Sequence, residues 1–455
     1  MASGSNEHPP IGMTVVPGRS NSVASVMLAG HNDIVNPYNH PLLRFFTPAE
    51  AGELRLIHPE FDVAVGATRF NDTETPVTDF RRWRAANPSA ISLRLSRTAD
   101  LADFAAYAAT GALAGPEGRP GLQTLSLSHS IIRDAEAVRL AAALRNLPDL
   151  LELRADHNGI GDAGVEALAA ALPSCRALAT LNLSHNHIMD EGAAALAAAL
   201  PRSLTTLDLF GNNHMEQEGV AALVPGLPAT LRVLDLGGCQ MGDAGAAALA
   251  AALPGLRALT HLKIAANGLT AAGLRALLPG LPTTLQGLCL DRNPFGPAGA
   301  REVAAALPGL PALQVLTLHG CHIRNEGIHA LIPVLRGHRE LTLLDLGESQ
   351  ASEETLDALV AILPSLPKLS QLGFLFGNKE ILFLDKVRKA LPEKTAYVPT
   401  GDRSVIRLRP RRRERKHSTR RNSTRRNSTR RNSTRRNSTR RNDRRKQQRR
   451  ESQAA

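Results

Sequence analysis

Apolar residues return along most of this chain in one registered pattern. Ten leucines, Leu122, Leu150, Leu178, Leu204, Leu231, Leu259, Leu285, Leu313, Leu341 and Leu369, are separated by 28, 28, 26, 27, 28, 26, 28, 28 and 28 residues. Each opens a variant of the pattern L-x-x-L-x-L-x-x-N/C-x-I/L. In the unit from Leu178, residues Leu178, Leu181, Leu183 and Ile188 are the inward positions, while Thr180, Asn182 and Ser184 alternate with them and face outward. That period of two predicts a short strand. Self-similarity at 26–28 residues predicts stacked units, each packed only on its neighbours. Such a chain offers one long continuous surface and no obvious catalytic pocket.

Asn186 follows the strand, and the same position holds Asn158, Asn212, Asn267 and Asn293. An Asn there can donate to and accept from the backbone of the turn in the next coil, satisfying groups that water does not reach. Cys239 and Cys321 stand at this ladder position, which makes them structural; Ser130 and Ser349 mark expected looser turns. A helix follows. Asp162, Asp190 and Asp243 are its expected N-caps, and strings such as Gly192-Ala-Ala-Ala-Leu196-Ala combine strong helix propensity with small bulk. Pro173, Pro201, Pro254 and Pro308 are placed to end the helices.

This layout resembles the ribonuclease-inhibitor class of leucine-rich repeats over roughly residues 90–395. The resemblance implies an α/β fold: a right-handed horseshoe solenoid with parallel inner strands and outer helices. That class hosts inhibitors, immune receptors, GTPase activators and ligase adaptors, so fold alone leaves function open. The G-A-x-A-L-A helices also resemble those of the GALA-type effector family, in which such repeats follow an F-box. Ala90, Leu93 and Leu95 read as a degenerate first strand. Leu369, Leu372, Phe374 and Phe376 begin the last unit, with Asn378 one position late for the ladder. Ile381, Leu384, Val387 and Leu391 are placed to seal the far end.

The flanks differ from the repeats. Residues 1–30 are rich in Ser, Gly, Pro and Asn and are expected to be disordered. In 31–66, Thr47-Pro48-Ala49-Glu50 is a helix start with a capping box, and Leu54, Ile57, Phe61 and Val65 recur at helical spacing. Leu42, Leu43, Phe45 and Phe46 form an apolar cluster before it. The run into F-F-T-P-A-E, then L-R-L-I and Phe61, resembles the F-box, which docks on the Skp adaptor of cullin–RING ubiquitin ligases. The resemblance implies adaptor contacts at Leu42, Phe45, Phe46, Leu54, Ile57 and Phe61. The other reading of the same residues is a helical cap over the first repeat. Residues 67–89, with Trp83, bridge to residues 90–397, the repeats.

Charge changes the picture only at the C-terminus. Residues 409–455 hold 21 Lys+Arg against 3 Asp+Glu, a net of +18, so the rest of the chain carries −6 of the total +12. Residues 398–455 are expected to be a disordered tail, since the S-T-R-R-N array from Ser418 to Asn442 has nothing apolar to bury. Ser423, Ser428, Ser433 and Ser438 each follow Arg-Arg-Asn, which resembles basophilic kinase sites; a phosphate would offset up to about two charges. Arg411–Lys416 reads as a nuclear-localisation-like cluster, and the tail could hold nucleic acid or an anionic surface. An expanded simple repeat without a role is the competing reading.

Four cysteines, Cys175, Cys239, Cys289 and Cys321, lack zinc or disulfide-framework spacing. No secretory signal and no membrane-length apolar run are evident, so a cytoplasmic or nuclear protein is expected, including one delivered into a host cell. No P-loop, nucleophile elbow or H-E-x-x-H motif occurs, and the expectation is a non-enzyme without cofactor or resident metal. His129, His157 and His185, one per coil just before the ladder, should stack about 4.8 Å apart. Such a stack could bind metal or sense pH, but S-H-N is ordinary for this repeat type, so decoration is the expected reading. The outward strand residues Glu152, Arg154, Asp156, Asp208, Phe210, Asp235, His261, Lys263, Asp291, Arg292, His319, Asp345 and Glu348 are expected to form a concave face. Of these, Glu152, Arg154, Asp156, Asp208, Phe210, Asp235, Lys263, Asp291 and Asp345 are the candidate partner-binding residues. Together the readings predict a substrate-recognition subunit of a cullin–RING ligase, or else a ligase-independent scaffold or regulator of the ribonuclease-inhibitor or NLR type.

Overall fold

The period-two pattern becomes a three-residue strand in every unit. A computed structural model describes residues 92–95, 98–113, 121–347, 351–374, 380–397 and 405–410. Strands β1 (Ser92–Arg94), β2 (Thr124–Ser126), β3 (Glu152–Arg154), β4 (Thr180–Asn182), β5 (Thr206–Asp208) and β6 (Val233–Asp235) lie side by side in chain order. The run continues through β7 (His261–Lys263), β8 (Gly287–Cys289), β9 (Val315–Thr317), β10 (Leu343–Asp345) and β11 (Gln371–Gly373). All these neighbours pair in parallel, with Leu153, Leu181, Leu207 and Leu234 in direct register and each no more than 1% exposed. One leucine column therefore runs through the core, as the spacing predicts.

Successive helices pack on each other beside this column, among them α1 (Thr98–Ala108), α2 (Asp134–Leu144), α3 (Asp162–Ala169) and α4 (Asp190–Ala199). Then follow α5 (Glu216–Leu223), α6 (Gly242–Ala252) and α7 (Ala271–Leu277). Pro254 and Pro308 sit in short 3-10 turns directly after their helices, Pro173 in one two residues beyond its helix, while Pro201 follows a residue already extended. Among the described residues no helix is long and apolar enough to cross a membrane.

Two local expectations are corrected. Asp162, Asp190 and Asp243 do not cap their own helices. Asp162 and Asp190 are first helical residues and Asp243 the second. Asp162 instead accepts the backbone N–H of Met189, the N-cap of α4, at 2.7 Å. Asp134 accepts Gly161 and Gly164 N–H at 2.7 and 3.1 Å, and Asp243 accepts Thr270 N–H at 2.8 Å. A carboxylate near one helix start thus satisfies the orphan donors of the next. This crossing explains the glycine of two helix starts: a Cβ on Gly192 or Gly273 would collide with the Asp162 or Asp243 carboxylate, whereas one on Gly245 would meet Met241. Asp162→Ala should cost about 1 kcal/mol, the usual worth of a cap. Hydrogen exchange should speed at Met189 and not at Val165; faster exchange at Val165 alone would mean that Asp162 serves its own helix.

The ladder is the second correction. Asn186 Oδ1 accepts Ile160 N–H at 3.1 Å, and its Nδ2 donates to Ala155 O and Leu183 O, both at 2.9 Å. Asn158, Asn212, Asn267 and Asn293 repeat this arrangement. The bridge runs to the preceding coil, not the next. Ser130 is no looser: its hydroxyl donates to Leu95 O at 2.7 Å, also one coil back.

The expectation of a disordered tail over 398–455 fails near its start. Strand β13 (Val405–Pro410) pairs antiparallel with β11, Leu372 opposite Ile406, and β12 (Lys394–Tyr397) lies beyond it. Ile406 and Leu408 are buried. The alternation Val405-Ile-Arg-Leu-Arg is a strand pattern whose outward positions are basic, so it reads as part of the arginine run. Helix α8 (Glu380–Ala390) packs Phe383 against Phe374, with ring centroids 6.2 Å apart, and Leu384, Val387 and Leu391 are buried as the seal predicts. The segments 1–30, 31–66 and 67–89, Ser349, Phe376, Asn378 and the S-T-R-R-N array lie outside the described residues.

Candidate functional site

The candidate face is built at the ends of β3 to β7. Three of these strands, β4, β5 and β6, finish on a side chain that turns the backbone. Asn182 Oδ1 accepts Ser184 N–H at 2.9 Å, Asp208 Oδ1 accepts Phe210 N–H at 3.0 Å, and Asp235 Oδ1 accepts Gly237 N–H at 3.0 Å. Asp345 does the same for Gly347 at 2.8 Å. A short acceptor two residues before an N–H is the Asx-turn solution. Part of what reads as surface charge is therefore turn chemistry. The outward strand positions are not all exposed: Arg154, Asp156, Asn182, Ser184 and Asp235 are buried. Strands about 4.8 Å apart press each side chain against its register neighbours.

Three strands bring unlike charges together. Asp208, Asp235 and Lys263 are consecutive register partners across β5, β6 and β7. Lys263 Nζ lies 3.4 Å from Asp235 Oδ2. Burial, and then the Asp235 charge, push the Asp208 carboxyl up to about 7, against the pull of Lys263 and the Phe210 N–H. Burial disfavours the Lys263 ammonium, but the Asp235 and Asp208 charges outweigh it and hold its pKa above the usual lysine value. Phe210 stands next to this group, seated over Gly237, where a Cβ would meet its ring.

The aromatic side chains form a column beside the charges. His129 and His157 stack with centroids 4.2 Å apart, His157 and His185 lie at 4.1 Å, and Phe210 meets His185 edge-on at 5.0 Å. The stacking expectation holds. What the sequence reading lacks is the backbone: His129, His157 and His185 all have φ between 52° and 56°. Gly211, Gly238, Ala266, Arg292 and Gly320 continue this left-handed column, a conformation that histidine and glycine tolerate well. Burial lowers the His129 and His185 pKa values, and the neighbouring His157 lowers them further. Asp156 accepts from the Ser128 hydroxyl at 2.7 Å and meets His157 Nδ1 at 3.2 Å. Burial works to raise its pKa, but these hydrogen bonds hold it below the usual carboxylate value.

The remaining candidates separate from this centre. Glu152 pairs with Arg154 on the same strand at 2.5 Å. Asp291 accepts His319 N–H at 2.7 Å from the following coil, and Asp345 lies 4.0 Å from His319 Nδ1. The cysteines are free. Burial raises all four thiols, Cys175 to about 11 and Cys321 to about 12, so they are poor nucleophiles. Cys239 and Cys321 donate from Sγ to Leu209 O and Leu290 O one coil back, as structural ladder residues should.

Comparison with known proteins finds the repeats. A family model described as leucine-rich repeat matches residues 147–169, 174–197, 201–224 and 228–250. The human NACHT, LRR and PYD domains-containing protein 13 is 28% identical over 160 residues, covering 34% of this chain but only 15% of that relative. Among solved structures, the leucine-rich repeat-containing protein LegL7 from Legionella pneumophila is 19% identical with a TM-score of 0.40, covering 68% of this chain and 99% of that one. An internalin from Listeria monocytogenes is 18% identical with a TM-score of 0.35, covering 56% and 81%. The matched repeats, the parallel sheet and the helix of each coil make this chain a leucine-rich-repeat solenoid, a module of protein interaction.

Proposed function

We propose that the sheet face from His185 to Lys263 docks a protein partner, and that the chain works by binding rather than by catalysis. The observation that carries this reading is Phe210 standing beside the Asp208–Asp235–Lys263 group. An aromatic anchor next to partly desolvated charges is the composition of a binding hot spot. Two carboxylates against one ammonium leave a negative excess when Asp208 is ionised, so the partner presents a lysine or arginine there. Phe210→Ala should weaken capture of the partner by at least about tenfold, the usual cost of losing an anchor. Asp235 also makes a turn, so the charge test is Lys263→Met, which should strengthen retention of a cationic partner. A partner held equally by wild type, Phe210→Ala and Lys263→Met would place the docking surface elsewhere.

Within this reading the chain is the substrate receptor of a cullin–RING ligase: residues 31–66 recruit a Skp-type adaptor and the sheet face selects the protein to be ubiquitylated. Support comes from the F-box-like run ahead of the repeats. Affinity purification of the full chain should recover Skp and cullin subunits, and deletion of 31–66 should abolish this while the repeats stay folded. Aggregation on deletion would instead favour the helical-cap reading. Recovery of the partner without Skp would favour a ligase-independent scaffold or regulator, the reading that the similarity to the human NACHT protein fits. The basic tail adds salt-sensitive attraction for nucleic acid or an anionic surface, reduced by phosphate at Ser423, Ser428, Ser433 and Ser438. Its removal is best made after Pro410, which ends β13.

A further inference from the structure

We propose that His129, Asp156 and His157 form a binding site for a divalent transition-metal ion, with zinc as the type case. One ligand atom from each of the three lies within 4.8 Å of the other two. A tetrahedral ion with bonds of about 2.1 Å holds its donors roughly 3.4 Å apart, so a modest inward rotation of the rings completes the set. Two imidazoles and a carboxylate are the donors that borderline metals such as zinc, nickel and cobalt prefer.

The three histidines alone do not carry this reading, since one ring per coil is what the repeat produces. Three observations beyond the spacing do. Asp156 lies within ligand distance of both stacked rings and is only 2% exposed. Its other oxygen is fixed by the Ser128 hydroxyl at 2.7 Å, the outer-shell support that orients a ligating carboxylate. And His129 Nε2 is buried with no hydrogen-bond partner. An orphaned buried nitrogen calls for an explanation, and an ion is one. The left-handed backbone at His129 and His157 fixes both rings from the same point of successive coils, with centroids 4.2 Å apart. His185, 4.1 Å further along, is the next donor in the column. Bound metal would clamp the coils opened by Leu122 and Leu150. The site shares only Asp156 with the candidate docking residues and does not depend on the partner reading.

The test uses the full chain, stripped of metal and kept reduced. Zinc is titrated in competition with a chromophoric chelator, and cobalt(II) is followed by its visible absorption. Wild type should take up one equivalent at this site. His129→Asn and Asp156→Asn should each weaken that equivalent by at least about tenfold, the effect seen even for outer-shell changes. Asparagine tolerates the left-handed backbone of position 129, and matching circular dichroism without metal checks that the fold survives. His214→Asn, at an exposed position, should change nothing. The cobalt spectrum of wild type gives an answer even if a variant misfolds: nitrogen and oxygen ligands give visible bands without thiolate-to-metal charge transfer. A thiolate band, or no saturable equivalent, or affinity unchanged in the His129→Asn, Asp156→Asn double variant, overturns the proposal.

Discussion

Replacing Asn186 by leucine is expected to lower the unfolding free energy by about 2–3 kcal/mol, although the side chains are similar in size. Of the groups that Asn186 serves, one is left with nothing. Ile160 N–H donates to Asn186 Oδ1 and is fully buried. The carbonyls are better insured: Ala155 O also receives Asn158 Nδ2 and Leu183 O also receives Asn212 Nδ2. The expected cost is therefore mainly one unsatisfied buried donor, plus weakened sharing at two acceptors. Asn186→Cys should fall between, at about 1–2 kcal/mol, because a thiol can donate to the carbonyls as Cys239 does but offers Ile160 only a weak acceptor. Urea unfolding of the three proteins checks the order. A Cys variant as stable as wild type would mean that the carbonyls, not the Ile160 N–H, set the cost.

That asymmetry explains where cysteine replaces asparagine. In the coil before Cys239, the N–H equivalent to that of Ile160 belongs to His214, in an exposed stretch that water reaches. In the coil before Cys321, it belongs to Phe295 and is satisfied by Asn293 O at 2.8 Å. A second acceptor is not needed at either place. By contrast Ile132, Ile160, Ile188 and Leu269 present buried N–H groups, and each is followed by an Asn that accepts from it. The sequence alone displays both residue types without this reason, because the reason lies one coil earlier.

The same limit separates what was legible from what was not. Leucine spacing sets each strand and its register, since slipping by one residue would expose Leu181 and bury Thr180. The ladder residues and the stacked histidines follow from position within one unit. Contacts between units do not: a repeat reads identically towards either neighbour, so the direction of the Asn bridge and the crossing of Asp162 to Met189 are invisible in the period. At the site, Asp208, Phe210 and Asp235 are recognisable as an acidic cluster beside an aromatic ring. Their electrostatics are not, because burial and the Lys263 charge reach Asp208 from strands 27 and 55 residues further on. Strand β13 escapes for another reason: its arginines at 407 and 409 merge with the basic run that follows.

The second large effect is a pH dependence of stability centred on Asp208. Its carboxyl is pushed up to about 7 in the fold by burial and by Asp235, against about 3.9 in an unfolded chain. Between those values the folded chain holds a proton that the unfolded chain has released, so unfolding free energy falls as pH rises. The expected loss is about 2 kcal/mol between pH 5 and 7, allowing for partial solvent screening of the group. The histidines act in the opposite sense. His129, His185 and His338 have pKa values lowered chiefly by burial, so they favour the fold as pH rises towards their unfolded value. The whole-chain profile mixes the two, and the clean measurement is the difference from Asp208→Asn. Asparagine keeps the turn, since Asn182 at the register-equivalent position accepts Ser184 N–H in the same way. The variant should match wild type near pH 5, exceed it at pH 8, and leave the histidine slope exposed. Urea unfolding at several pH values gives both curves; parallel curves would show that Asp208 ionises as an ordinary carboxylate. The same proton bears on binding, because below pH 7 the face loses the negative excess that attracts a cationic partner. Partner affinity of wild type should therefore rise from pH 6 to pH 8, and that of Asp208→Asn should stay flat.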